Sequence, residues 1–222
     1  GYRLLVPDLP GFGDSSVPPD GHDADVMPAW LNAGIAQIVG SEACQIVGFS
    51  FGAMVGTLLA ASDPDRAAGL ILVGAPALSQ QPMPSVGLRT WEHLTSVEAR
   101  REIHRHNLGA LMMASPESID DLALNLHAAN LERDRLKRRR LARTDIVVRT
   151  LAQVQCPVSG IWGDQDAVYR GRLQTIEAGL RMAPRFESLI MLSDTGHWAP
   201  YENAPAFNDA VLRLLEIHNG SS

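Results

Sequence analysis

Cys44-Gln-Ile-Val-Gly48-Phe-Ser50-Phe-Gly52-Ala-Met-Val-Gly-Thr-Leu-Leu-Ala-Ala61 decides how the rest of the chain is read. An apolar, partly β-branched run from Cys44 to Val47 breaks at Gly48-Phe49-Ser50-Phe51-Gly52. The Ala- and Leu-rich run that follows has the composition and length of a buried helix. The pentapeptide fits G-x-S-x-G, a strained strand-to-helix turn that presents its serine as a nucleophile. Strand and helix approach closely there, so glycine is expected at both Gly48 and Gly52. The same residues also read as a Gly-rich turn with Ser50 capping the helix. The pentapeptide alone does not separate the two readings.

Working outward, Tyr2 to Val6 reads as a short apolar strand, closed by the turn-rich Pro7-Asp8-Leu9-Pro10-Gly11-Phe12-Gly13-Asp14-Ser15. The Gly11-x-Gly13 pair lacks the third glycine of a dinucleotide fingerprint, because Ser16 stands in its place. Asp25 to Val39 predicts an amphipathic helix with Val26, Trp30, Ile35, Ile38 and Val39 on its buried face. Leu70 to Val73 reads as a strand buried on both sides. Strand and helix alternating in this way imply a parallel sheet covered by helices.

From 76 to 150 the strand signal stops. Pro82, Pro84, Gly87 and Pro116 interrupt a helical, Arg-rich stretch, read as an insertion between a first core part (1–75) and a second (151–222). Arg138-Arg139-Arg140 lies among Glu132, Asp134 and Asp145, which suits a solvated helix face better than a nucleic-acid patch. His104 and His106, two apart on a helix, point to different faces and do not suit metal ligation. Strands return at Pro157–Trp162 and Glu187–Leu192, around a helix from Leu173 to Met182. The last helix starts near Pro205 and buries Phe207, Val211, Leu214, Leu215 and Ile217, with His218 read as a surface residue near its end.

Bulk properties set limits. The chain has 222 residues, 45% hydrophobic and 20% charged, and a net charge of −6, the profile of a globular protein rather than a nucleic-acid binder. No apolar run approaches the roughly 20 residues of a membrane span, and no signal peptide is visible. Two cysteines, Cys44 and Cys156, abut apolar segments and read as buried free thiols in a reducing, cytoplasmic setting.

Three loops stand at the carboxyl ends of predicted parallel strands, carrying Ser50, Asp166 and His197. In a parallel sheet those ends share one edge, where distant positions converge. The order Ser, Asp, His is that of the α/β-hydrolases. The chain resembles that family through Gly48-Phe49-Ser50-Phe51-Gly52, Trp162-Gly163-Asp164-Gln165-Asp166, Asp194-Thr195-Gly196-His197 and the strand-loop from Leu5 to Ser15. The resemblance implies an α/β-hydrolase fold: a mostly parallel sheet, helices on both faces and a helical cap at 76–150.

It also implies a serine hydrolase with Ser50 as nucleophile, His197 as base and Asp166 as the orienting acid. Asp164 is a rival, which the family's spacing after Trp-Gly disfavours, and Asp194 is expected to brace the turn before His197. The backbone N–H of Phe51 is expected to form half of the oxyanion hole. The second donor comes from a loop after the family's third strand, which this chain does not contain. Because Tyr2–Val6 matches the fourth strand, the N-terminal part of the fold is expected to be absent, about 50 residues or more by ordinary βαβ lengths.

Trp198 and Phe49 are candidate substrate-pocket residues. Asp194 to Glu202, with Phe207-Asn208, resembles the carbon–carbon bond hydrolases of aromatic breakdown, which cleave vinylogous diketones. The Arg–Trp pair that such enzymes carry in the cap is not placed here, since Trp91 is the only Trp of that stretch. A small carboxylic ester is therefore an equal substrate expectation. Acyl transfer on the same triad and a non-catalytic ligand-binding protein are the alternatives. No metal or organic cofactor is implied, the partner is a small-molecule substrate, and homo-oligomerisation is left open.

Overall fold

The computed structural model describes residues 1–19, 21, 23–79, 84–136 and 139–220. Pro82, Lys137 and Arg138 lie outside them. Four strands pair in chain order into one parallel sheet: β1 (Cys44–Phe49), β2 (Ala67–Val73), β3 (Val158–Gly163) and β4 (Phe186–Leu192). Val47 lies beside Ile71, Leu72 beside Gly160, and Gly160 beside Leu189. All four carboxyl ends therefore share one edge.

Strand periodicity divides β2 between two cores. Leu70 and Leu72 join the larger one with Met27 of α1 (Met27–Val39), Met54 and Val55 of α2 (Phe51–Ser62), Leu151 of α5 (Ile146–Leu151) and Leu180 of α6 (Gln174–Leu180). Ile71 and Val73 face the other way. There they meet Ile161, Leu192 and the Leu214–Leu215 pair of α8 (Ala204–Gly220). Helices thus cover both faces, as an α/β sheet requires to remove both apolar surfaces from water.

Between β2 and β3 no strand occurs among the described residues. α3 (Val97–Asn107) runs straight into a π-turn at Leu108–Met112, and α4 (Asp121–Glu132) follows. Both α helices start on side-chain caps. Ser96 accepts from the Ala99 N–H (3.2 Å), and Asp120 from the Ala123 N–H (2.8 Å). Leu108, Met113, Ile119, Ala123 and Leu124 form a third core, closed by Trp198 and Tyr201 at the start of α7 (Ala199–Glu202).

Several expectations change. Tyr2–Val6 is not a strand; Leu4 is 81% and Val6 90% exposed. A strand needs a ladder partner. The resemblance places this segment one strand away from β1, and no described strand fills the interval. The inward side of α1 is set by Met27 and Leu31, with Ala24 buried in the 3-10 turn before it, whereas Trp30 (47%) and Ile38 (52%) are exposed. Arg139 is not on a helix face: its guanidinium lies 5.0 Å from the Phe12 ring centroid and 5.1 Å from that of Phe51, and it pairs with Asp134. A flat guanidinium can stack on rings and still offer its edge to a carboxylate.

His218 is fully buried, not at the surface. Its ring joins Ser159 Oγ (2.9 Å) and Gln45 Oε1 (3.1 Å), tying α8 to β3 and β1. Both cysteines are free, but only Cys156 is buried, and burial pushes its thiol up to about 11. His104 is buried, while the half-buried His106 donates from Nε2 to the Gly87 carbonyl (3.0 Å), so the two do face apart.

Three histidines have their pKa lowered, chiefly by burial. His127, packed edge-to-face on His104, falls from 6.5 to about 4, and His104 and His218 shift the same way. The folded chain holds these rings neutral, while the unfolded chain takes up protons near pH 6.5. Their contribution to stability is complete above that pH and is lost as pH falls towards 4. Urea denaturation between pH 8 and 4 should therefore show a falling midpoint across this window. His127→Phe should flatten the fall, and an unchanged slope would contradict the assignment.

Candidate active site

β1 ends at Phe49, and the chain turns through Ser50 at φ 49°, ψ −115° before α2 begins. The turn is pinned to β2 by the Ser50 N–H, which donates to the Val73 carbonyl (2.8 Å). The Ser50 carbonyl accepts the first helical bonds, from Ala53 (3.0 Å) and Met54 (3.3 Å). Ser50 therefore stands at the helix N-cap position without a side-chain cap, leaving its hydroxyl free for another partner. The two glycines of the motif are not equivalent. A Cβ on Gly48 would stand 2.6 Å from the Gly52 oxygen and the Ala53 Cα, whereas one on Gly52 would meet nothing within 4 Å.

The second loop leaves β3 as Gly163-Asp164-Gln165-Asp166. The Asp166 N–H returns to the Gly163 carbonyl (3.2 Å), and its Oδ1 caps a short 3-10 turn by accepting from Val168 N–H (2.8 Å). The third loop leaves β4 and passes through Asp194 at φ 51°. The Gln165 N–H donates to the Thr195 carbonyl (2.9 Å), fastening the second loop to the third.

The three expected side chains meet. His197 Nδ1 lies 3.0 Å from Asp166 Oδ2 and 3.1 Å from Oδ1, and Nε2 lies 2.9 Å from Ser50 Oγ. Asp166 and His197 are buried, and Ser50 is half-buried. A carboxylate only accepts, so Nδ1 carries the proton and Nε2 is left to accept from the serine hydroxyl. Asp164 makes no such contact; its Oδ1 is buried with no hydrogen-bond partner among the described residues. Of the two carboxylates, Asp166 is the one that faces His197 Nδ1.

The surroundings hold the imidazole in place. The Phe49 ring lies against it (centroids 5.2 Å apart, tilted 45°). Gly74, at φ 55°, lies beneath it; a Cβ there would stand 3.0 Å from Cε1. Tyr169 is buried beside Asp166 and donates to the Ala75 carbonyl (2.6 Å); burial first, and the Asp166 charge second, push its phenol up. Trp198 stacks on Tyr201 (4.7 Å) and packs into the third core. The Phe51 N–H, at the first position of α2, has no partner within the helix.

Asp194 is exposed, and other residues brace the turn. Thr195 Oγ1 donates to the Ser193 carbonyl (2.8 Å), Asn203 donates to Thr195 Oγ1 (3.0 Å), and Glu202 accepts from the Gly196 N–H (2.6 Å). The sequence reading gives no role to Gly74 or Glu202 and takes Arg139 only as part of a charged run. The apolar strand before Gly74 was the one available signal, since a strand end facing a buried ring leaves no room for a side chain.

Comparison with known proteins agrees with this architecture. The sequence profile described as the alpha/beta hydrolase family matches residues 1–210. A Pseudomonas putida protein named 2-hydroxy-6-oxononadienedioate/2-hydroxy-6-oxononatrienedioate hydrolase 2 is 28% identical over 97% of this chain and 78% of its own length. The meta-cleavage product hydrolase of Pseudomonas fluorescens IP01 superposes with a TM-score of 0.76 at 20% identity, covering 97% of this chain and 80% of that one. An esterase from Rhodococcus sp. ECU1013 gives 0.72 at 20% identity, with the same coverage.

The elbow geometry separates its two glycines experimentally. Gly48→Ala forces a methyl into backbone and should cost about 1–3 kcal/mol, read as a lower urea midpoint. Gly52→Ala enters open space and should be neutral or slightly stabilising. Equal effects at the two positions would contradict the close approach at Gly48.

Proposed function

The chain belongs to the alpha/beta hydrolase family, and from that premise we propose that it hydrolyses a small organic substrate through an acyl-type intermediate on Ser50. His197 is the general base and Asp166 the acid that orients it. The observation carrying this reading is the single imidazole bonded to Ser50 Oγ at 2.9 Å on one side and to a buried carboxylate at 3.0 Å on the other.

Serine is a poor nucleophile until its proton is taken. As Oγ attacks a carbonyl carbon, its proton moves to Nε2, and Asp166 stabilises the imidazolium that forms. The oxyanion that develops falls to the Phe51 N–H; the second donor is assigned to no residue of this chain. The imidazolium then protonates the leaving group. Water, activated by the same imidazole, releases the acid and restores Ser50. Such donors are worth about 3–4 kcal/mol each in the transition state.

Two substrate classes fit this chemistry. In a carboxylic ester the leaving group is an alkoxide. In a vinylogous diketone it is a carbanion, delocalised onto the distant carbonyl as a dienolate. The names of the curated relatives favour the second. The insertion tempers that preference. Trp91, its only Trp, packs on His104 (5.1 Å) with the Arg100 guanidinium 5.7 Å from its ring centroid, contacts made within the insertion itself. We assign residues 76–150 to a cap, with Trp198 and Phe49 as its pocket neighbours on the core side.

Labelling with a fluorophosphonate tests the reading. The parent should label at Ser50, and Ser50→Ala should abolish both labelling and turnover. Asp166→Asn should lower kcat about 10⁴-fold by imposing the wrong tautomer, while Asp164→Asn should change it less than tenfold. A parent that neither labels nor turns over, with Ser50→Ala behaving identically, would end the hydrolase reading and favour a ligand-binding role. Aryl esters assayed beside ring-fission dienones then decide the substrate class.

A further inference from the structure

His197 is gripped from both sides by one stretch of the insertion. On its C-terminal side, the Trp198 N–H donates to the Met112 carbonyl (2.7 Å). On its N-terminal side the link runs through Glu202. One oxygen of that carboxylate, Oε2, accepts from the Gly196 N–H (2.6 Å); the other, Oε1, accepts from the Ala114 and Ser115 N–H groups (2.8 Å each). Three backbone donors from two distant segments thus converge on one side chain, 88 residues from Ala114 in sequence. Charge-assisted bonds of this kind are among the stronger ones a loop can make.

The receiving stretch, 112–115, follows directly on the π-turn Leu108–Met112, which closes through the Met113 N–H to the Leu108 carbonyl (2.9 Å). Single π-turns inside helices cluster at functional sites. Glu202 ends the four-residue helix α7, whose own N–H bonds run back to Trp198. The histidine loop, α7 and the π-turn therefore form one closed hydrogen-bonded ring with the imidazole projecting from it.

We propose that Glu202 is a positioning residue: by joining the Gly196 N–H to those of Ala114 and Ser115, it holds His197 Nε2 towards Ser50 and makes the placement of the insertion a condition for a competent base. This rests on His197 being the base. Glu202 touches no reacting atom; it acts through the loop.

Glu202→Gln is the decisive variant. The carboxamide keeps the size but sets an NH₂ donor against one group of backbone donors. Expected are a 10- to 100-fold fall in kcat on p-nitrophenyl esters, KM within twofold, equally slowed fluorophosphonate labelling, and loss or displacement of the low-field proton NMR signal of His197 Nδ1–H. Tyr201→Phe is the comparison. It removes the other tie from α7 to the insertion, the Tyr201 hydroxyl to Asp120 Oδ1 (2.6 Å), without touching the histidine loop, and should leave kcat within twofold. Should Glu202→Ala fail to fold, the isosteric Gln variant still decides. The proposal is overturned if Glu202→Gln keeps kcat and the imidazole proton unchanged, or if both variants lose activity only in proportion to their melting temperatures. If the parent neither labels nor turns over, the reading of His197 as base fails, and the imidazole proton still reports whether Glu202 sets its position.

Discussion

Two hydrogen bonds to one imidazole hold together residues 147 and 31 positions apart, and the rest of the molecule is arranged to let them form. The parallel sheet makes this possible by bringing the ends of β1, β3 and β4 to one edge. The strand on which the site rests is β2, which contributes no reactive side chain. Its Val73 carbonyl holds the Ser50 N–H, Gly74 just past its end leaves room for the imidazole, and the Ala75 carbonyl anchors Tyr169 beside Asp166. A strand that supplies only backbone and an absent side chain is as necessary to the constellation as those supplying the triad.

The left-handed Ser50 costs on the order of 1–3 kcal/mol, and magnitudes show where the offset lies. α2 follows at once, with Ala53, Met54, Val55, Leu59 and Ala60 buried. A buried Met, Leu or Val side chain contributes about 1.5–3 kcal/mol, so two of these suffice to balance the strain. The same packing demands Gly48, since a helix seated this closely on β1 leaves no space for a Cβ there. Strain at the serine and compactness of the helix are two sides of one constraint, which is why the turn and the apolar run are adjacent in the sequence.

That adjacency explains what could be read from residues alone. Ser50, Asp166 and His197 were legible because each sits in a short pattern at a strand end, where local chemistry and chain order carry the signal. The preference for Asp166 over Asp164 came from the spacing of the family the chain resembles, and Asp166 is the carboxylate that faces Nδ1. What failed to show was long-range. His218 reads as a polar residue near a helix end, yet Ser159 and Gln45 satisfy it in the interior. Arg139 reads as one of a run of charges, yet Phe12 and Phe51 take its flat face. Tyr2–Val6 carries strand propensity, but propensity cannot supply a ladder partner. In each case the deciding atoms lie far away in sequence and leave no periodic trace.

Glu202 belongs to the same class and shows why the insertion is more than a cover. Its partners are backbone N–H groups, which no side-chain pattern can announce, and they lie in a segment whose own sequence is not distinctive. The third core ends on Trp198 and Tyr201, so apolar packing and hydrogen bonding both run from the insertion into the six residues after Gly196. A segment attached only through its two chain ends would be free to shift relative to the sheet without moving His197. Attached in this way, its displacement must either break charge-assisted bonds or carry the histidine loop along. On the proposed role of Glu202, the placement of the insertion and the orientation of His197 are coupled rather than independent.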